Sequence, residues 1–213
     1  MRDVLRIIEA NVRVPDVIGD IRAQYTANLT GARRMTDLAR LYGADVLRDA
    51  MDELITRSES QMREAIGQLK PGRYTFEDWM DDSGTVTEPI RARVTLDIGA
   101  SGIAIDWTGS SGQREAGMNS YLHYTSAYCI AAVKSVTLPS APQNEGIIRT
   151  ISVTAPEGSF FNARHPAPCG GRAVVSHRIY EVVMGALAQA VPRRAIAATA
   201  HFFNPNIGGE HPR

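Results

Sequence analysis

The chain has 213 residues, 44% of them hydrophobic, with 23 acidic and 23 basic side chains in balance. A core of useful size is available, and the absence of a one-signed charge excess argues against nucleic acid or an anionic membrane surface as the main partner. The opening MRDVLRIIEANVRV sets charges inside what a signal peptide needs to keep apolar, no run approaches the roughly 18 apolar residues of a membrane span, and the two cysteines, Cys129 and Cys169, are unpaired in spacing, so a reduced, soluble, cytoplasmic protein is expected.

Residues 15–69 read as helical. Ile18, Ile21 and Tyr25 form one stripe, and Leu47, Leu54, Ile55, Met62, Ile66 and Leu69 continue at three- and four-residue spacing, with breaks expected at Gly31 and Gly43. Pro15-Asp16 marks a helix entrance, and Pro71-Gly72 closes the helical part, which puts a domain boundary near residue 70: a helical segment 1–70 and an α+β domain 71–213.

Beyond the boundary the period changes to two. Tyr74 and Phe76 alternate with polar residues, Asp81-Asp82-Ser83-Gly84 offers a turn, and Ile90, Ala92, Val94, Leu96 and Ile98 alternate through five repeats. A turn at 99–102 leads to a short strand on Ile103, Ile105 and Trp107, giving three or four consecutive antiparallel strands. Two later helices cover them, one over 119–136 with Tyr121, Ala127, Tyr128, Ile130, Ala131 and Val133 among its apolar members. The other runs over 174–191 with Val175, Ile179, Val182, Ala186 and Ala190 on one face. Between them lie a turn-rich loop at 139–146, a strand at 147–153 and a long irregular connection at 155–171. The fold class expected is therefore α+β, a mainly antiparallel sheet with a helical covering layer after an N-terminal helical segment. The tail from His201 to Arg213 ends on turn residues, as a chain cut short would.

The segment DWTGSSGQREAGMN, residues 106–119, concentrates polar side chains and three glycines at the end of a strand. It invites comparison with two catalytic patterns, and both fail. An aspartic protease needs a second Asp-Thr-Gly or Asp-Ser-Gly to share a proton, and the phosphorylated ATPases need a lysine where Trp107 stands. The plain alternative is a strand-ending turn in which Asp106 and Thr108 bond the local backbone. His165, Cys169 and His177 match no zinc spacing, so no metal ligands are assigned; Cys169 reads as a packed thiol, and His177 with Glu181 as a pair one helical turn apart. Asn144-Glu145-Gly146 after a proline-rich turn, and Arg172 at a helix entrance, are candidate anion-binding positions. Neither a phosphate loop nor a dinucleotide fingerprint occurs, so the chain does not hold ATP by itself.

Taken in order, NVRVPDVIGDIRAQYTAN, TGARRMTDLARLYG, PGRYTFEDWMDDSG, DWTGSSGQREAGMNS, PQNEGIIRTISVTAPEGSFFN and the helix ending ALAQAVP resemble the hydantoinase B/oxoprolinase family over nearly the whole chain. The resemblance implies a component of an ATP-dependent cyclic amidohydrolase that opens a lactam or cyclic imide together with a hydantoinase A type subunit, which carries the ATP site. The partner activates the carbonyl oxygen by phosphorylation, and a divalent metal supplies hydroxide for hydrolysis. The residues associated with that metal lie in a segment upstream of anything matching Asn11, so the metal centre belongs to sequence absent from this chain. Its length, short for the family, points to a fragment, a split subunit or a truncated frame whose missing portion is a further partner. The candidate catalytic residues carried over are Asp106 and Asn119, with Thr108, Gln113, Asn144, Glu145 and Arg172 as candidate substrate-binding residues. A non-catalytic assembly subunit and a related ATP-dependent ketone carboxylase are the alternatives.

Overall fold

In the computed structural model, which describes residues 2–12, 14–83 and 87–198, the chain divides into two compact units, Met1–Glu53 and Leu54–Arg213. The tail that carries His201 and His211, and Gly84 of the anticipated turn, lie outside the described residues. None of the described helices is long and apolar enough to cross a membrane.

The first unit is helical. α1 (Arg2–Asn11), within the anticipated helical segment but ahead of the stripe read from residue 15, half-buries Leu5 and Ile8, one turn apart, and its Glu9 meets Arg22 at 3.0 Å. α2 (Asp16–Tyr42) has Asp16 in its first turn and Arg40 in its last, each with the sign that favours its end of the helix dipole. The expected break at Gly31 does not occur. A glycine costs only about 1 kcal/mol relative to alanine inside a helix, too little to stop a well-propagated one. Gly43 does end it, because its φ of 90° lies outside helical space and its N–H closes onto the Ala39 carbonyl at 2.9 Å. α3 (Ala44–Gly67) begins directly afterwards.

In the second unit, Ile90, Ala92, Val94, Leu96 and Ile98 are all buried on one face of β2 (Ile90–Ile98), the central ribbon of the core. β1 (Gly72–Met80) pairs with it antiparallel from Gly72 opposite Ile98 to Met80 opposite Ile90, and β3 (Ile103–Asp106) pairs antiparallel on its other side. The last strand differs from expectation. β4 (Ile151–Thr154) lies parallel to β3, since the intervening chain crosses over through α4 (Leu122–Thr137) instead of turning back as a hairpin. The anticipated strand at 147–153 also starts late, because Asn144 caps a single turn, α5 (Glu145–Ile148), and Ile147 is buried there.

α4 and α6 (Ala173–Ala190) pack on each other and on the sheet. α6 buries Val175, Ile179, Val182, Ala186 and Ala190, the face expected from its spacing. Of the apolar members anticipated for α4, Ile130 and Val133 are buried and Ala127 and Ala131 are exposed, while Thr125, Cys129, Ala132 and Val136 complete the covered face. The opposite face of the sheet is polar. Its alternate positions align Thr75, Thr95, Asp106 and Thr154 in one row across all four strands.

α5 docks on the Leu54–Gly67 part of α3 with no room between the backbones. A Cβ on Gly146 would run into the Ile55 carbonyl oxygen and lie 2.8 Å from the Glu59 nitrogen, and Asn144 Nδ2 donates to Ser58 Oγ at 2.8 Å. Both obstacles are helix backbone, which cannot step aside. The Gly146→Ala variant should therefore lose about 3 kcal/mol of stability, whereas Gly31→Ala, with open space around the added carbon, should gain up to about 1 kcal/mol. Urea denaturation of the two variants checks both signs.

Candidate functional site

Two irregular segments, 107–121 after β3 and 155–172 before α6, are joined along their length. Gln113 N–H donates to the Gly158 carbonyl (2.9 Å), Phe160 N–H to Ser111, Ser120 N–H to Phe160, Ala163 N–H to Ser120 (each 2.9 Å) and Gly171 N–H to Gly117 (2.7 Å). The pairing is that of a ladder without regular strands. It satisfies backbone groups that a long loop over a core would otherwise leave bare.

Asp106 closes β3. Its Oδ1 accepts from the Thr108 N–H (3.1 Å) and hydroxyl (2.8 Å), and the Thr154 hydroxyl approaches it at 3.4 Å. This is an Asx turn, in which a short carboxylate takes the place of a backbone acceptor. Gly109 follows with φ 94°, open to glycine and strained for any other residue. Two serines then replace the missing strand partner: Ser110 Oγ accepts from Arg93 N–H and donates to Arg93 O, both at 3.0 Å, and Ser111 Oγ accepts from Arg91 N–H at 2.9 Å.

Gln113 and Asn119 bind the segments together. Gln113 Oε1 accepts from Arg164 N–H at 2.7 Å. Asn119 is fully buried; its Oδ1 accepts from Arg114 N–H (2.8 Å) while Nδ2 donates to the carbonyls of Arg114 (2.7 Å), Ala116 (2.8 Å) and Pro168 (3.0 Å). Under them lies an aromatic floor, with Trp107 wholly buried and tilted against Phe161 at 4.4 Å between centroids. Cys129 shares this floor. Burial pushes its thiol up to about 12, against a smaller opposing pull from the Trp107 indole N–H.

At the helix entrances the side chains face outward. Arg172 lies over the Tyr124 ring at 5.1 Å and donates to the Cys169 carbonyl at 3.1 Å. The Tyr124 hydroxyl donates to that of Tyr128 at 3.5 Å; burial and this bond raise Tyr124, and the same bond lowers Tyr128. Contact with Cys169 raises Tyr121. The tyrosines escape sequence reading because a Tyr at helical spacing looks like core. Glu181 sits 3.8 Å from Arg178, a pairing that the His177–Glu181 reading passes over.

The structure does not gather all the anticipated residues. Asn144 Oδ1 caps α5 through Gly146 N–H at 3.0 Å, and Glu145 faces Arg149 at 3.6 Å. Both precede β4, whereas Asp106 is in register with Thr154 at its far end, roughly 10 Å along the strand. Among the described residues no group of three or more His, Cys, Asp or Glu side chains gathers to hold a metal ion, His165, Cys169 and His177 included.

Comparison with known sequences gives a match to the hydantoinase B/oxoprolinase family over residues 1–213. The chain belongs to this family. It is 34% identical to a D-/L-hydantoinase B component of Pseudomonas sp. (strain NS671), over 94% of this chain and 36% of that one. To the beta chain of the caprolactamase of Pseudomonas jessenii it is 29% identical, over 99% and 37%. The chain thus spans about a third of the length of these relatives. The crystal structure of the ATP-dependent caprolactamase from Pseudomonas jessenii superposes with a TM-score of 0.80 at 27% identity, over 91% of this chain and 34% of that one. A nucleotide-free acetone carboxylase structure shares the fold, with a TM-score of 0.78 at 15% identity, over 91% and 28%.

Within this family member the loop pair makes two predictions. Asn119→Ala strands buried carbonyls and a buried N–H, so stability should fall by about 3 kcal/mol or more by urea denaturation. The Cys129 thiol is raised in the fold, so its contribution is complete below the ordinary thiol range near 8.5 and is lost as pH climbs toward about 12. From pH 8.5 upward the wild-type chain should lose stability faster than Cys129→Ala, by about 1 kcal/mol per pH unit, in parallel denaturation series.

Proposed function

We propose that this chain forms one wall of the amide-binding site of an ATP-dependent cyclic amidohydrolase that opens a lactam or cyclic imide ring. The observation that carries the reading is the close match in fold and sequence to the ATP-dependent caprolactamase, over 91% of the chain. The joined segments 107–121 and 155–172 lie within the matched family region. ATP is assigned to a hydantoinase A type partner, and a divalent metal to sequence outside this chain. The described residues of this chain do not fit a metal centre.

The roles left to this chain are recognition and positioning. Asp106 and Thr108 hold the turn at the end of β3, Gln113 and Asn119 fix its distance from the second segment, and a substrate amide meets the outward edge of the loops. The Arg172 guanidinium, stacked on Tyr124 and exposed at the entrance of α6, pairs with a carboxylate or another anionic group of substrate or partner. Asn144 serves the attachment of α5 to α3, Glu145 faces Arg149, and both lie before the start of β4, away from this wall.

An assembly role without chemistry also has an observation in its favour: the polar atoms of Asn119, and the Oδ1 of Asp106, are engaged by the loop itself. One experiment separates the readings. In a complex reconstituted with a hydantoinase A type subunit, MgATP and the remaining B type sequence, Asp106→Ala should lower lactam turnover by about 10- to 100-fold through displacement of the loop. Assembly of the complex and thermal melting should stay near wild type. Unchanged turnover would leave the assembly role standing and reject the wall.

A further inference from the structure

The unit Met1–Glu53 carries a helix face that none of its described residues covers. α2 is 27 residues long, and at 100° per residue Tyr25, Leu29, Met35, Leu38 and Tyr42 fall on one half of its circumference, with Ala32 and Ala39 between them. Arg33, Asp37 and Arg40 take the other half. The five large side chains are between 40% and 60% exposed, and Ile18 is the one buried residue of the helix. From Tyr25 to Tyr42, Asn28 and Thr36 are the polar residues in that half, with Asp20 and Gln24 in it nearer the start of the helix and Leu41, 71% exposed, on the other half; the Thr36 hydroxyl donates to the Ala32 carbonyl at 2.8 Å, so it is satisfied inside the helix.

The width of this face decides what kind of surface covers it. A two-helix seam needs two positions in seven, whereas a half-circumference stripe is the pattern of a helix set into a layer or bundle of several elements. A helix of this length draws most of its stability from burying such a face. The matched region makes up only 36% of the D-/L-hydantoinase B relative and 37% of the caprolactamase beta chain, so the larger part of a B type polypeptide lies outside it.

Resting on the family reading above, we infer that the apolar half of α2 is the seat of that remaining B type sequence, whether joined to this chain or carried on another. The occupant presents a composite apolar surface with an acidic group at the edge that meets Arg33, since Arg40 already faces Asp37 at 3.8 Å.

A photo-crosslinker placed in the chain and expressed in its source cell tests this. Met35→p-benzoylphenylalanine, and independently Leu29→p-benzoylphenylalanine, should give an adduct whose peptide belongs to hydantoinase B type sequence outside the matched region. Thr30→p-benzoylphenylalanine, exposed in the middle of the polar half, should give at least tenfold less. Adding Ala32→Glu, an exposed position, should lower the Met35 adduct at least tenfold with the helical circular dichroism unchanged. An adduct with a second copy of this chain, with an unrelated protein or with nothing would overturn the inference, as would a yield indifferent to Ala32→Glu. Failure here with lactam turnover intact in the reconstituted complex would sink the docking surface alone; the expected adduct without turnover would sink the functional reading alone.

Discussion

One buried amide sets the geometry on which the candidate site depends. The side chain of Asn119 has no exposure and answers four backbone groups at 2.7–3.0 Å, three on its own loop and one on the segment before α6. A carboxylate here would turn a donor into a charge facing three carbonyls, and an alkyl group would leave those carbonyls unmet in the interior. Asparagine has both polarities in one planar group of the right length. With this clamp in place, Ser120 and Thr125 extend the join through their paired hydroxyls at 2.9 Å and the Phe161 carbonyl at 2.7 Å.

The sheet then divides the anticipated functional residues between its two sides. Alternation along β3 sends Ile103 and Ile105 into the core with α4 and α6, and sends Asp106 to the polar face in a row with Thr75, Thr95 and Thr154. Asn119 and Arg172 belong instead to the entrances of the helical layer. The loop 107–121 therefore passes from one side of the sheet to the other, and its glycines at 109, 112 and 117 fall along that passage. Rigid elements at each end and a loop tied to its neighbour by hydrogen bonds along its length favour a preorganised surface over one that closes on its ligand.

The sheet and the covering helices are legible in the sequence because their periods are strong. Five alternating apolar residues in β2 leave no other reading, and all five residues of the α6 stripe are buried, with Ser176, Val183, Met184 and Leu187 widening the covered face. Positions decided by tertiary context are not legible. Gly31 and Gly43 look alike in sequence, yet only the second meets a backbone conformation that needs glycine. The direction of β4 follows from a crossover that local pattern cannot show. The buried face of α4 escapes the pattern because alanines lie all around that helix, and neighbours alone choose which are covered. Within the site, Asp106 and Thr108 are readable as a turn, since Asx chemistry is local, whereas the burial of Asn119 depends on Pro168, 49 residues away.

The two units also differ in how far each answers for its own stability. From Leu54 onward, a sheet with one covered face, two helices and the joined loops enclose a continuous apolar core that includes Trp107, Phe160, Phe161, Ile179 and Leu187. The first unit has no comparable core among its described residues, and a 27-residue helix buries only Ile18. Such a helix persists where something covers its apolar half, because propensity alone leaves isolated helices marginal in water. On the docking inference, α2 depends on contacts outside its own unit, whereas the loop pair depends on contacts it makes with itself. An apolar-to-charged change on α2 would show its cost in association, and a change at Asn119 in folding.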